Sequence, residues 1–216
     1  MKVLLFITGH RQLEEYNYFN LFLKQLKIND ICDIYIYCNN SNIHSDIITY
    51  YQNFKQKNKN LFITSLNHGY RVGGVEAISK SIDMGIFKDY DYVIHLHPDV
   101  FIIDDLYLME ILFEYLNNDI VFLVNKFDDM AFSFDFFIFK PKLLKNNIFK
   151  DELYIFEEIP EQYLHNMIKK YDIKYVIIKR YDNDLWYPRR IAEYLKIYHE
   201  HDMNNVLELL KQKSLL

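Results

Sequence analysis

Two kinds of segment alternate along the 216-residue chain. Short runs, apolar on both faces, occupy Val3–Thr8, Asp33–Asn39, Leu61–Asn67, Tyr92–Leu96, Ile120–Asn125, Phe136–Phe139 and Lys174–Lys179. Runs of this length without polar alternation suit strands covered on both sides. Segments with helical spacing lie between them, at 12–28, 44–57, 73–87, 104–117, 158–171 and 189–212, the last broken near His199–Met203. Strand and helix in alternation predict an α/β fold: a mixed, mostly parallel central sheet with helices on both faces. No repeat, Pro- or Ser-rich linker or compositional shift divides the chain, so the simplest assignment is one domain over 1–216.

Composition narrows the class. Half the residues are hydrophobic and 25% are charged, as in ordinary globular proteins. Aromatic residues at 17% exclude a disordered chain. A net charge of −5 argues against nucleic acid as a partner, and the basic run from Lys55 to Lys59 is short and reads as a solvated helix end. The two cysteines, Cys32 and Cys38, lie in or beside one strand at no metal or redox spacing, which reads as buried thiols in a reducing compartment. Val3–Thr8 is too short for a signal peptide, and no stretch approaches the ~20 apolar residues of a membrane span. The expectation is a cytoplasmic protein without a transmembrane segment.

In open parallel sheets, ligands sit at the carboxyl ends of the strands, where the strand order reverses. Polar residues follow the first four runs: Thr8-Gly9-His10-Arg11, Asn39-Asn40-Ser41, Asn67-His68-Gly69-Tyr70-Arg71 and His97-Pro98-Asp99. Loops are polar in any case, but four such ends together fit a binding crevice. Three of the five glycines, Gly69, Gly73 and Gly74, fall within six residues at the opening of a helix expected over Val75–Phe87. They allow either a tight strand-to-helix turn or close approach of a diphosphate to a helix N-terminus, with Arg71 as a fixed cation. The spacing matches neither common phosphate-binding glycine motif.

Further candidates carry acid–base or metal chemistry. His97 and Asp99, two apart at a strand end, can share a divalent cation, or else serve as an ordinary hydrogen-bonding His and a turn Asp. Imidazole in the set leans toward Mn2+ over Mg2+. Asp135 opens a very apolar strand, where a carboxylate is costly unless paired; it can cap a turn or orient a sugar hydroxyl. Glu157-Glu158-Ile159-Pro160-Glu161-Gln162 opens a helix. Glutamates there suit the helix dipole, and one of them can act as a general base. Tyr198-His199-Glu200-His201-Asp202 can supply a late metal ligand, although its spacing is not that of a zinc site.

These residues resemble the GT-A class of nucleotide-sugar glycosyltransferases, as a pattern over approximately residues 3–180. Asn67 to Ala77 looks like the segment under the diphosphate, and Tyr92 to Asp99 like the strand carrying the Asp-x-Asp motif. Phe134 to Pro141 is similar to the stretch facing donor sugar and acceptor, and Glu157–Gln162 to the helix start bearing the base of inverting members. One departure stands out: the motif reads His97-Pro98-Asp99, with His97 in place of an aspartate. The chain is also short, like minimal forms in bacteria with surface polysaccharides and in large DNA viruses, so localisation would be the cytoplasm, or the host cytoplasm if viral.

The resemblance implies a Rossmann-like nucleotide-sugar-binding half over 1–100 and an acceptor half over 101–216 with a C-terminal helical cap. It implies transfer of a sugar from a UDP- or GDP-sugar to a hydroxyl of a glycan or other glycoconjugate, as in polysaccharide biosynthesis, metal-assisted and inverting. The donor would meet Thr8, His10, Arg11, Asn39, Asn67, Gly69, Arg71, Gly73, Gly74 and His97. Asp99, His97 and His199 would hold Mn2+ or Mg2+, and Glu158 or Asp135 would be the base. Trp186 and Tyr187, beside Arg189 and Arg190, would form a sugar-stacking lip or anchor the C-terminal cap. Two other readings stay open: a sugar-phosphate nucleotidyltransferase, and a non-catalytic nucleotide or carbohydrate binder. Against the first, Gly9 stands alone after the opening strand, where a triphosphate-binding loop would be rich in Gly, Arg and Lys.

Overall fold

The computed structural model describes residues 1–9, 32–39, 59–63, 69–97, 100–102, 104–124, 134–146, 148–149, 160–179, 197–199 and 203–212. The expected helices at 12–28 and 44–57 lie outside them. So does the Trp186–Arg190 segment.

Seven strands form one sheet. They are β1 (Val3–Gly9), β2 (Cys32–Cys38), β3 (Lys59–Ile63), β4 (Tyr92–Leu96), β6 (Ile120–Val124), β7 (Phe136–Phe139) and β8 (Tyr175–Lys179). The spatial order is β3-β2-β1-β4-β7-β6-β8. All neighbours are parallel except β7, which runs antiparallel to both β4 and β6. The sheet is therefore mixed and mostly parallel, as expected. From β1 the chain builds outward through β2 and β3, then returns to place β4 on the other side of β1. The order reverses at the β1/β4 junction, which is where a crevice opens in folds of this kind.

The inner strands β1, β2, β4 and β7 are buried because both faces are covered. On one face, Leu4, Phe6, Tyr35, Tyr37, Val93 and Phe137 pack under two helices, α1 (Gly69–Asp83) and α3 (Pro160–Lys170). On the other, Leu5, Ile7, Ile34, Ile94 and Ile138 pack under α2 (Asp105–Glu114) and α4 (Met203–Gln212). α3 shows the physical logic of its length: Tyr163, Leu164, Met167 and Ile168 form its buried stripe, and Lys169 and Lys170 close its last turn. The high aromatic content is spent in the core. Phe87 lies edge-on to Phe6 at 5.0 Å and to Phe139 at 5.7 Å, and Phe137 sits 5.6 Å from Phe139. Cys32 and Cys38 are buried, and burial, helped by the charge of Asp33, pushes the Cys32 thiol up to about 12.

Three boundaries differ from the sequence reading. α1 begins at Gly69, so Gly73 and Gly74 lie within the helix and not in a loop before it. The segment expected to start a C-terminal helix at 189 contains β9 (Ile197–His199), paired antiparallel with β5 (Val100–Ile102), and α4 follows over Met203–Gln212. Two three-residue strands are too short for any periodicity to declare. β3 begins at Lys59, inside the run read as a helix end.

Helix ends follow local chemistry. Asp104 caps α2 by accepting from the N–H groups of Leu106 (3.1 Å) and Tyr107 (3.4 Å). Gly85 closes off the end of α1, two residues past Asp83, and its φ of 71° lets Ile86 N–H reach back to the Ser81 carbonyl at 3.0 Å.

Candidate active site

The reversal point gathers polar groups from both halves of the chain. β1 delivers Thr8 and Gly9, β2 is followed by Asn39, and β4 is followed by His97. Because β7 runs the other way, its beginning lies at the same pole, and that beginning is Asp135.

Thr8 is buried, and its hydroxyl meets His95 Nε2 at 2.9 Å. The side chain assigned to the donor is thus engaged within the protein. Asn39 N–H donates to the Gly9 carbonyl at 3.2 Å, which ties the ends of β2 and β1. The Asn39 side chain is buried, and its Oδ1 has no hydrogen-bond partner among the described residues.

The helical glycines now have a structural reason. A Cβ at Gly73 would overlap the Asn39 amide, and one at Gly74 would overlap the Phe134 ring. Glycine in a helix interior costs roughly 0.5–1 kcal/mol relative to alanine, so its use here marks close approach of α1 to the strand ends. Neither residue is among those with positive φ. Gly69 is the first residue of α1, and Arg71 lies in its first turn.

His97 is half-buried, and its backbone N–H donates to the Asp135 carbonyl at 2.9 Å. Its own carbonyl accepts from Val100 N–H at 3.1 Å, which leads the chain into β5. β9 places His199 opposite Val100, the residue that follows Asp99 in sequence. The backbone therefore sets His199 beside the strand that begins three residues after His97.

Asp135 is a buried carboxylate, 9% exposed. α3 aims its first turn at it. Burial raises the proton affinity of the Glu161 carboxyl; the backbone N–H of Glu161 itself opposes this, the charge of Asp135 adds to it, and the backbone N–H of Phe134 opposes it. Asp135 and Glu161 thus form a neighbouring pair of carboxyl groups, with Glu161 the more accessible.

Of the residues assigned from sequence, the structure brings Thr8, Asn39, Gly69, Gly73, Gly74, His97 and Asp135 to one pole of the sheet. His10, Arg11, Asn67, Asp99 and Glu158 lie outside the described residues. Two residues at this pole escaped the sequence assignment. Glu161 was visible only as one of several glutamates suited to a helix start. His95 was visible as a single polar residue in the apolar run Tyr92–Leu96.

Among the described residues, no group of three or more His, Cys, Asp or Glu side chains is arranged to hold a metal ion. No helix among them is long and apolar enough to cross a membrane.

No protein-family profile matches the chain, and no curated protein sequence matches it significantly. Solved structures match its fold. A protein from Desulfovibrio desulfuricans G20 assigned as a nucleotide-diphospho-sugar transferase superposes with a TM-score of 0.57 at 11% identity, over 99% of both chains. The 4-diphosphocytidyl-2C-methyl-D-erythritol synthase of Anaerococcus prevotii gives 0.58 at 10% identity, over 99% of this chain and 96% of that one. The mannosyltransferase PcManGT of Pyrobaculum calidifontis, solved with GDP-Man and Mn2+, gives 0.58 at 9% identity, over 88% of this chain and 60% of that one. The chain is similar to nucleotide-diphospho-sugar transferases in fold. That agrees with the GT-A-like, Rossmann-like architecture expected from its residues.

Proposed function

We propose that the protein is a glycosyltransferase that moves a sugar from a nucleoside-diphosphate sugar to an acceptor hydroxyl with inversion. One observation carries this reading. The strand-order reversal is lined by Asn39, the close-packed start of α1 and His97, and the Asp135–Glu161 carboxyl pair stands beside it. A nucleotide lies across the strand ends, and the acceptor enters over the carboxyl pair.

In the reaction the acceptor oxygen bonds to the anomeric carbon as the bond from that carbon to the diphosphate breaks. Glu161 takes the acceptor proton. Its partly exposed position lets an acceptor reach it, and its raised proton affinity makes it a stronger base than an ordinary glutamate. Asp135, more deeply buried, holds a sugar hydroxyl and strengthens Glu161 as a base through its charge. Glu158, three residues before Glu161, is the further candidate from sequence.

Asp99, His97 and His199 would hold a divalent ion, whose chemistry when bound is to neutralise charge on the departing diphosphate. One carboxylate and two imidazoles suit Mn2+, and the β5–β9 pairing, which sets His199 opposite Val100, the residue after Asp99 in sequence, supports the set.

The likeness to a cytidylyl-transferring synthase supports a second reading, nucleotidyl transfer from a triphosphate. Incubation with UDP- and GDP-sugars, and separately with nucleoside triphosphates plus sugar phosphates, separates the two. Release of nucleoside diphosphate supports the glycosyltransferase, and release of pyrophosphate supports the rival. Nucleotide binding without either product supports a non-catalytic binder.

A further inference from the structure

His95 sits inside β4, fully buried. Its ring is enclosed by Phe6, Phe134 and Phe137 at centroid distances of 5.8, 5.2 and 4.7 Å. A phenyl ring would fill such a cage without burying polar atoms, so an imidazole there needs a reason. Nε2 has one, the Thr8 hydroxyl at 2.9 Å, whereas Nδ1 has no hydrogen-bond partner among the described residues. The imidazole is therefore kept for a bond to the end of β1.

That bond links two sides of the crevice. Thr8 precedes Gly9, whose carbonyl holds Asn39 at the end of β2. On its other flank the His95 ring meets His97 edge-on at 5.4 Å, and His97 N–H is bonded to the Asp135 carbonyl. One side chain thus touches both the end of β1, among the strand ends that would carry the nucleotide, and His97, whose backbone is bonded to Asp135 of the carboxyl pair.

We propose that His95 is a positioning residue for the transfer reaction. Acting through Thr8 and His97, it fixes the distance between the nucleotide-binding strand ends and the Asp135–Glu161 pair. A single displacement needs that distance constant, because donor carbon and acceptor oxygen must stand in line. The inference rests on the glycosyltransferase reading above.

The test uses the full chain as wild type, His95→Phe, His95→Gln, Thr8→Val and the His95→Phe/Thr8→Val double variant. Melting temperature, UDP and GDP affinity with Mn2+, and kcat and KM for the nucleotide sugar are measured for each. His95→Phe keeps the packing and loses the bond, so nucleotide affinity should hold while kcat falls roughly 10- to 100-fold. Thr8→Val should match it, the double variant should be no worse than His95→Phe alone, and His95→Gln, which can still bond Thr8, should recover part of the rate. If His95→Phe does not fold, Thr8→Val and His95→Gln carry the same comparison.

Wild-type kcat in a folded His95→Phe, or losses that multiply in the double variant, overturn the proposal. So does a Thr8→Val that weakens nucleotide binding and leaves kcat intact, because Thr8 would then contact the donor directly. A wild type that binds and turns over no nucleotide sugar overturns the glycosyltransferase reading itself, and this proposal with it. An active wild type with an unimpaired His95→Phe removes this proposal alone.

Discussion

At the amino ends of β1, β2 and β4, polar groups meet partners near solvent. Tyr90 donates to Asp33 at 2.7 Å, Lys2 N–H donates to Asp91 at 2.7 Å, and Lys2 Nζ lies over the Tyr90 ring. Farther along the same pole, Asp119 is flanked by Lys142 at 3.1 Å and Lys140 at 3.9 Å, and Lys140 also donates to the Leu116 carbonyl. At the carboxyl ends the arrangement is reversed. Asp135 and Glu161 are like charges drawn together under burial, and His95 is held neutral, its pKa pushed well below the ordinary value by burial and then by the charge of His97, against the pull of Asp135. One end of the sheet spends its polar groups on stability. The other keeps carboxyl and imidazole groups in costly surroundings, where their proton affinities are altered.

The largest expected effect breaks the active end alone. Glu161→Gln should lower kcat by roughly 10²- to 10⁴-fold, as loss of a general base does, with nucleotide affinity unchanged in a binding titration. The acid limb of the wild-type rate profile should lie above the ordinary glutamate value of about 4.3, because Glu161 holds its proton more tightly than usual. The same shift sets a stability slope. The folded chain binds that proton better than the unfolded chain, so stability rises as pH falls through the raised value and drops once the carboxylate ionises. Melting curves of Glu161→Gln should lose this slope, and at pH 7 the variant should melt no lower than wild type.

Next is Gly74→Ala, which tests whether the two ends are coupled through packing. The new methyl must displace the buried Phe134 ring, and small-to-large changes of this kind cost about 1–3 kcal/mol. Urea unfolding should show that loss, and activity should fall as well because Phe134 adjoins Asp135.

At the opposite end the pattern should invert. Tyr90→Phe removes a hydrogen bond to the half-buried Asp33 and should cost about 1–2 kcal/mol in urea, with kcat unchanged. Smallest is Lys142→Ala. Its ion pair with Asp119 is solvent-exposed, so the loss should be under about 1 kcal/mol and should shrink further in high salt.

Most strands of the main sheet were legible because they are runs of branched and aromatic residues, and β1, β2, β4 and β7 are buried along most of their length. Alternation with helices then gave the fold class. β5 and β9 were not legible, since three residues make no period. The start of α1 was misread because glycines usually mark a loop, whereas Gly73 and Gly74 answer to side chains that only the tertiary fold brings against them. The same limit governs the site. Asn39, His97 and Asp135 stand out as polar residues bounding apolar runs. Glu161 becomes notable only once β7 is known to run backwards between β4 and β6, which puts Asp135 over the start of α3. Nothing in the alternation of strands and helices announces that insertion. His95 was hidden because a lone histidine in an apolar strand looks like a core residue.

The place of β1 between β2 and β4 has a consequence for synthesis. Its neighbour on one side is made soon after it, but Tyr92–Leu96, which pairs with Val3–Ile7, emerges only about 90 residues later, roughly 5–18 s at ordinary translation rates. Until then this buried, largely apolar strand presents an open edge to the ribosome's surroundings, a template for wrong pairing. Completion of β4 closes that edge, and the crevice is completed only as β7 and α3 follow. A nascent chain arrested before Leu96 should therefore bind chaperone and no nucleotide, and lengthening it past that residue should relieve the first condition before the second.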